Sequence, residues 1–287
     1  MKKLYPLLFC FFLIACSDSN SVASTDLNVK QSISESQQDV LIKQATDLIN
    51  ASKEEQALPI LIKLANAGNP KAQNQVGLMY QYGYGINKQS TIDLVKAKYW
   101  LEQAVNQNYP VAIHNLAALI YKEATTDGEF ETALNLFIKA ATFNHYESYN
   151  FIGNYYNEGL IYPKNFKKAV ENYKIAADKN NASGQFNMGQ AYYYGEGVGQ
   201  DYKVAFDWYQ KAANQGYDLA YIQLSRYYEK GLLVPKNISK AIKLLEKPAK
   251  NGEPTAQYNL AILYKNENNL DKFNYWKEIY STNPKAE

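Results

Sequence analysis

Apolar and small residues recur along this chain with two nested periods. The short one is helical. In AQNQVGLMY (72–80) and GQFNMGQAYY (184–193) the apolar positions fall three and four apart, which gathers them on one face of a helix. The long one is close to 36 residues. A small residue returns as Gly77, Ala117, Gly153, Gly189, Ser225 and Ala261, at intervals of 40, 36, 36, 36 and 36. Three residues after each stand Tyr80, Ile120, Tyr156, Tyr192, Tyr228 and Tyr264. A second apolar pattern enters sixteen residues after the small one, at Ala133, Ala169, Ala205 and Ala241, and four residues later than that in the first unit, at Ala97. Each unit therefore predicts two helices, A and B, and the chain predicts an all-α fold.

The ends of these helices are written in polar residues. Four residues before the Ala of helix B come Asp93, Asn165, Asp201 and Asn237, side chains suited to capping free amide donors. Nine residues before each small residue come Gly68, Asn108, Asn144, Asn180, Gly216 and Gly252. Gly and Asn are the residues that most readily take the left-handed conformation that stops a helix. The glycines of YYYGEGVGQDY (192–202) have equivalents in GYGINK, GLIYPK and GLLVPK. They read as the turn between helices A and B. A phosphate-binding loop would follow a strand and carry Lys then Ser or Thr, and this one does neither.

The pattern A-x-Y-N-L-G-x-x-Y-x-x-G-x-G-V followed by A-x-x-W-Y-x-K-A-A-x-x-G resembles the Sel1-like repeat, a relative of the tetratricopeptide repeat. Residues 184–217 carry it most fully, and the likeness covers about 70–265. It implies a right-handed α-solenoid of stacked antiparallel helix pairs, with six repeats and a closing helix over 70–287. Repeat two has YKEATTDGE in place of the glycine turn, and repeat six is shortened at YKNENNLDKF. Residues 39–69 read as a degenerate leading pair. Pro59 is expected to start or kink its second helix, and Pro248 to kink helix B of repeat five.

The N-terminus has another character. MKKLYPLLFCFFLIAC has a basic start and a short apolar run, the pattern of a secretory signal over 1–15. Its end, LIAC, resembles a bacterial lipobox. That likeness implies cleavage before Cys16 and lipid on Cys16, and Ser17 in place of Asp implies the outer membrane, facing the periplasm. Residues 16–38 hold seven serines from Ser17 onward and read as a flexible tether. Charge adds little: Lys+Arg number 30 against 28 Asp+Glu, and without Lys2 and Lys3 the balance is zero. Nothing in it suggests nucleic acid.

The chemistry-bearing residues form no catalytic or metal signature. His114 and His145 lie in different repeats, with neither a Cys nor a second His at ligand spacing. No cofactor or metal is expected. The relation to tetratricopeptide repeats implies a concave protein-binding face on helix A, at positions −6, −3, +1 and +4 from the small residue. Carried over, it names Asn74, His114, Tyr121, Asn150, Asn154, Asn157, Phe186, Gln190, Tyr193, Arg226, Glu229 and Tyr258. The expected function is a lipid-anchored periplasmic adaptor for a protein or peptide of the cell envelope, not an enzyme. The alternatives are an immunity or inhibitor lipoprotein that neutralises a periplasmic toxin, and an enzyme acting on cell wall or β-lactam.

Overall fold

The computed structural model describes residues 34–85 and 91–286; the signal, Cys16 and most of the expected tether lie outside them. The described residues form fourteen α-helices and no strand. A leading pair, α1 (Glu35–Asn50) and α2 (Glu54–Asn66), precedes six A–B pairs. These are α3 (Pro70–Tyr82) with α4 (Leu94–Val105), α5 (Pro110–Glu123) with α6 (Asp127–Thr142), and α7 (Glu147–Glu158) with α8 (Phe166–Asp178). Then come α9 (Ala182–Tyr194) with α10 (Tyr202–Asn214), α11 (Asp218–Lys230) with α12 (Ile238–Lys250), and α13 (Pro254–Asn266) with α14 (Leu270–Ser281). Each helix packs on the next in chain order. A helices of neighbouring repeats also touch, α3 with α5 and α7 with α9, so the A side is the tighter side of the stack.

One boundary differs from expectation, and at Pro59 one of the two expected alternatives, the helix start, is excluded. The tether ends early: α1 begins at Glu35, because Ser34 and Gln37 close a capping box there. Helix α2 begins five residues before Pro59 and runs through it, as α12 runs through Pro248. Each proline lacks one helical donor, while buried neighbours hold the rest of the helix, Leu61 and Leu64 in α2 and Leu245 and Ala249 in α12.

The small residue of helix A exists to admit a side chain of helix B in the same repeat. A Cβ on Gly153 would lie 2.5 Å from the Tyr173 ring, and one on Gly189 would lie 2.5 Å from the Tyr209 ring. Sizes are matched along the stack: Ala117 stands in register with Phe137, and Ser225 with Leu245. All four of these partners belong to the buried core. The tyrosine hydroxyls are satisfied next door, Tyr173 donating to Asn154 at 2.9 Å and Tyr209 to Gln190.

The expected caps form. Asp93, Asn165, Asp201 and Asn237 each accept backbone N–H bonds from the first turn of helix B. Their own amides donate back to the carbonyls of Tyr80, Tyr156, Tyr192 and Tyr228 at 2.8–2.9 Å, which closes the A–B turn. All six helix-ending residues sit at positive φ, from 55° at Asn108 to 93° at Gly68. Each makes the same pair of bonds; at Asn144, for example, His145 donates to Ala140 and Asn144 to Ala141.

Neighbouring repeats are bolted by buried glutamines. Gln73, Gln185 and Gln257 donate to the carbonyls of Ala65, Ala177 and Ala249 in the preceding helix. Their oxygens accept from Gln107, Gln215 and Asn283, at 2.8 Å each, beyond the following helix B. Each amide therefore spans two junctions.

Candidate protein-binding face

The solvent-facing stripe of helix A follows from its packing. Positions −5, −1, 0 and +2 from the small residue are buried in every repeat. Positions −2 and +1 are partly open in every repeat, and +5 is exposed. The stripe at the −3 end thus lies one residue later than the tetratricopeptide template places it.

Asn74, His114, Asn150 and Phe186 consequently lie beneath the surface. The next repeat covers them. Asn115 donates to Asn74 and Asn187 donates to Asn150, both at 2.8 Å, while His114 meets the Phe151 ring and Phe186 the Tyr217 ring at 5.3 Å. Tyr258, in the last repeat, has no successor to cover it and is 49% exposed.

The remaining expected residues are partly open. Asn154 accepts from Tyr173, and Gln190 accepts from Tyr209, so each amide keeps its NH2 for the outside. Arg226 donates to Gln223 at 3.1 Å. Tyr193 packs against Tyr194, Tyr202 and Tyr227. Tyr121 donates to Glu158 at 3.2 Å; burial, then that carboxylate, pushes its phenol up to about 12. Glu229 is partly exposed. Asn157 and Gln190 line one cleft of about 140 Å³ between repeats three and four, and the template omits its other polar walls, Tyr173, Asn187, Tyr194 and Glu196. The fit is to a polar main chain: amides offer donor and acceptor together, and tyrosines offer broad rigid contact.

The two histidines, far apart in sequence, meet. Their rings lie 4.4 Å apart, and Ser148 Oγ is 2.9 Å from Nδ1 of His114 and 3.2 Å from Nδ1 of His145. One hydroxyl can donate to one Nδ1 and accept from the other, which fits two neutral imidazoles of opposite tautomer. Burial, then His145, pulls His114 down to about 3, and burial also lowers His145. Ser148 is wholly buried, so this trio is core and not a nucleophile open to substrate. The repeat held a signal for it: Phe186 and Tyr217 occupy the same two positions two repeats on. Among the described residues no three His, Cys, Asp or Glu gather as metal ligands, and no helix is long and apolar enough to cross a membrane.

Stacked helix pairs with an open polar stripe on helix A define a helical-repeat solenoid, an architecture consistent with a protein-interaction scaffold. The Sel1 repeat family model matches residues 70–109, 147–181, 182–217, 218–253 and 254–272, and the chain belongs to that family. Repeat two, lacking its glycine turn, is not among the matched segments. A Sel1 repeat protein from Oxalobacter formigenes is 28% identical, with a TM-score of 0.68 over 84% of this chain and 96% of that one. The protective antigen c5321 of uropathogenic Escherichia coli is 26% identical, with a TM-score of 0.59 over 86% of this chain and 54% of that one. The sel1-like repeat-containing protein L21 of Acanthamoeba polyphaga mimivirus is 31% identical over 50% of this chain and 25% of its own length. The chain spans between a quarter and a half of the curated relatives it matches first.

Proposed function

We propose that this chain is a non-enzymatic adaptor of the cell envelope, anchored by lipid on Cys16 and facing the periplasm from the outer membrane. It binds a protein or peptide through the A helices of repeats three to five. The observation that carries the binding role is the row of half-committed amides on α7 and α9, Asn154, Asn187 and Gln190, continued by Arg226 on α11. Each already holds the fold with one end of its side chain and presents the other. Such groups are fixed before a partner arrives, which lowers the entropy cost of binding. Tyr194, 53% exposed beside them, supplies an aromatic anchor. The anchor reading rests on the sequence LIAC at 13–16 and Ser17. Two or more acyl chains at about 0.8 kcal/mol per buried CH2 hold a protein stably at a bilayer.

The test is a photo-crosslinking residue placed at Tyr194 in living cells, with a control at Lys211 on α10. A discrete adduct at Tyr194 alone is expected. A resident envelope protein in that adduct makes the chain an adaptor, and an incoming toxin makes it an inhibitor. Equal adducts at both positions, or none at either, would remove the assignment to helix A. Lipidation is read separately, as labelled palmitate that enters the wild type and not Cys16→Ser; an unlabelled wild type would end that part.

A further inference from the structure

Three positions of the repeat fill the junction between one A–B pair and the next. They are +4 and, in the following repeat, +2 and the residue after the glycine that ends helix A. Between repeats two and three these are Tyr121, Tyr155 and Leu160, and between four and five they are Tyr193, Tyr227 and Leu232. Both sets are packed: the paired tyrosine rings lie 5.5 Å and 6.1 Å apart, and each leucine joins the core beside them. Between repeats three and four the same positions hold Asn157, Ala191 and Glu196. All three fillers are missing at once, and the cleft of about 140 Å³ opens there.

The exchange leaves acceptors without donors. Tyr155 donates to the Phe130 carbonyl at 2.8 Å and Tyr227 to that of Tyr202 at 2.9 Å; with Ala191 in their place, the equivalent carbonyl of Phe166 receives no hydroxyl. Asn187 spends its NH2 on Asn150 and keeps its oxygen free. Tyr173 gives its proton to Asn154 and keeps a lone pair. Burial, then Glu158, Tyr121 and Glu196, push this phenol up, so it stays a hydroxyl. Among the described residues Glu196 is the one charged group of the lining, and it makes no ion pair.

We propose that this cleft takes one arginine side chain of a protein or peptide partner, its guanidinium held by the Glu196 carboxylate and its stem lying against Ala169, Val170 and Ala191. The inference rests on helix A as the binding side and names what that side selects. The volume is well below the roughly 300–1,000 Å³ of a small-molecule pocket, which leaves room for a single long side chain. A guanidinium carries five donors in a plane and can serve several acceptors at once, where an ammonium is a point charge. It also stacks on aromatic rings, and Tyr194 stands 53% exposed in the cleft wall. A tyrosine guest would restore the lost volume, yet it would strip water from Glu196 without giving it a counter-charge.

The probes are three capped peptides of the form Gly-Ser-X-Ser-Gly, with arginine, citrulline or tyrosine at X. Each is titrated into the isotope-labelled full chain and followed by amide NMR. Saturable shifts at Asn157, Asn187, Ala191 and Glu196 are expected with arginine. Affinity should fall by about tenfold or more with citrulline, which keeps the shape and loses the charge, and equally in Glu196→Gln. The combined variant Asn157→Tyr, Ala191→Tyr and Glu196→Leu restores the fillers of the neighbouring junctions. It should abolish the shifts while its helical circular dichroism and cooperative melt persist. No shifts at these amides, citrulline or tyrosine binding as tightly as arginine, or arginine binding unchanged in Glu196→Gln would each overturn the proposal. The crosslink at Tyr194 is scored apart: an adduct there without arginine binding keeps the helix A face and removes the cleft, and arginine binding without an adduct does the reverse.

Discussion

The contact between Gly189 and Tyr209 predicts an unusual sign for a mild substitution. Gly189→Ala lies inside a helix, where the change alone should stabilise by about 0.8–1 kcal/mol. The new Cβ would meet Cε1 at 2.5 Å and Cδ1 at 2.6 Å of a wholly buried ring. To restore ordinary contact the ring must withdraw by about 1 Å. It has little room, with Phe186 at 5.7 Å and Tyr227 at 6.4 Å between ring centres. It would also strain the hydroxyl bond to Gln190, worth about 1 kcal/mol. Overpacking of this kind costs about 1–3 kcal/mol. The net expectation is a loss of about 1–2 kcal/mol, or roughly 3–6 °C for a folded part of this size. Two controls sharpen it. Gly128→Ala, in the first turn of α6 with nothing within 4 Å of the new Cβ, should be neutral or stabilising. In a Tyr209→Leu background, which imitates Leu245 beside Ser225, Gly189→Ala should change sign and stabilise. Thermal and urea melts followed by circular dichroism give all four values. If Gly189→Ala melts at or above the wild type, or costs the same in both backgrounds, the size-matching argument is wrong.

Other outcomes follow from the same structure. His114 is held at about 3 against an ordinary 6.5, so between those values the unfolded chain binds more protons and stability rises with pH. Urea midpoints at pH 7 and pH 5 should differ by about 2 kcal/mol from this residue, and His114→Phe, the side chain repeat four uses at that position, should flatten the slope. Gln185→Ala removes a bolt between repeats and should cost about 2–3 kcal/mol, more than Gln215→Ala at its exposed partner; equal losses in urea melts would contradict the bolt. Asp201→Ala should cost about 1 kcal/mol through the lost bonds to Lys203 and Val204 amides, and a melt unchanged by it would count against the cap.

Features set by local chemistry could be read without coordinates. The register of the six small residues, the Asp and Asn caps and the Gly and Asn helix ends each depend on a residue's own backbone preference or size, and each recurs. What depended on neighbours in space could not be read the same way. Position −3 looks polar in Asn74, His114 and Asn150, yet a helix turns about 100° per residue. One residue's difference separates the open stripe from the seam where the next repeat lies. Asn187 and Asn115 were invisible for the same reason: each has one amide end in that seam and one outside. The histidine pair needed the knowledge that a helix B end folds back over the A helix of its own repeat. The glutamine bolts offered a hint, since Gln73, Gln185 and Gln257 recur at one position, but their receivers sit in other elements.

The pairing of ring and small residue also bears on how such a gene can change. Both halves of the contact lie within one repeat, twenty residues apart, as Gly189 and Tyr209 are. A copying slip that duplicates or deletes a whole unit carries the fitted pair along intact, whatever its size class. A slip out of phase would set a tyrosine from one unit against a serine or alanine from another. Selection on packing alone would therefore keep array length free to drift while holding the codon phase of the array fixed.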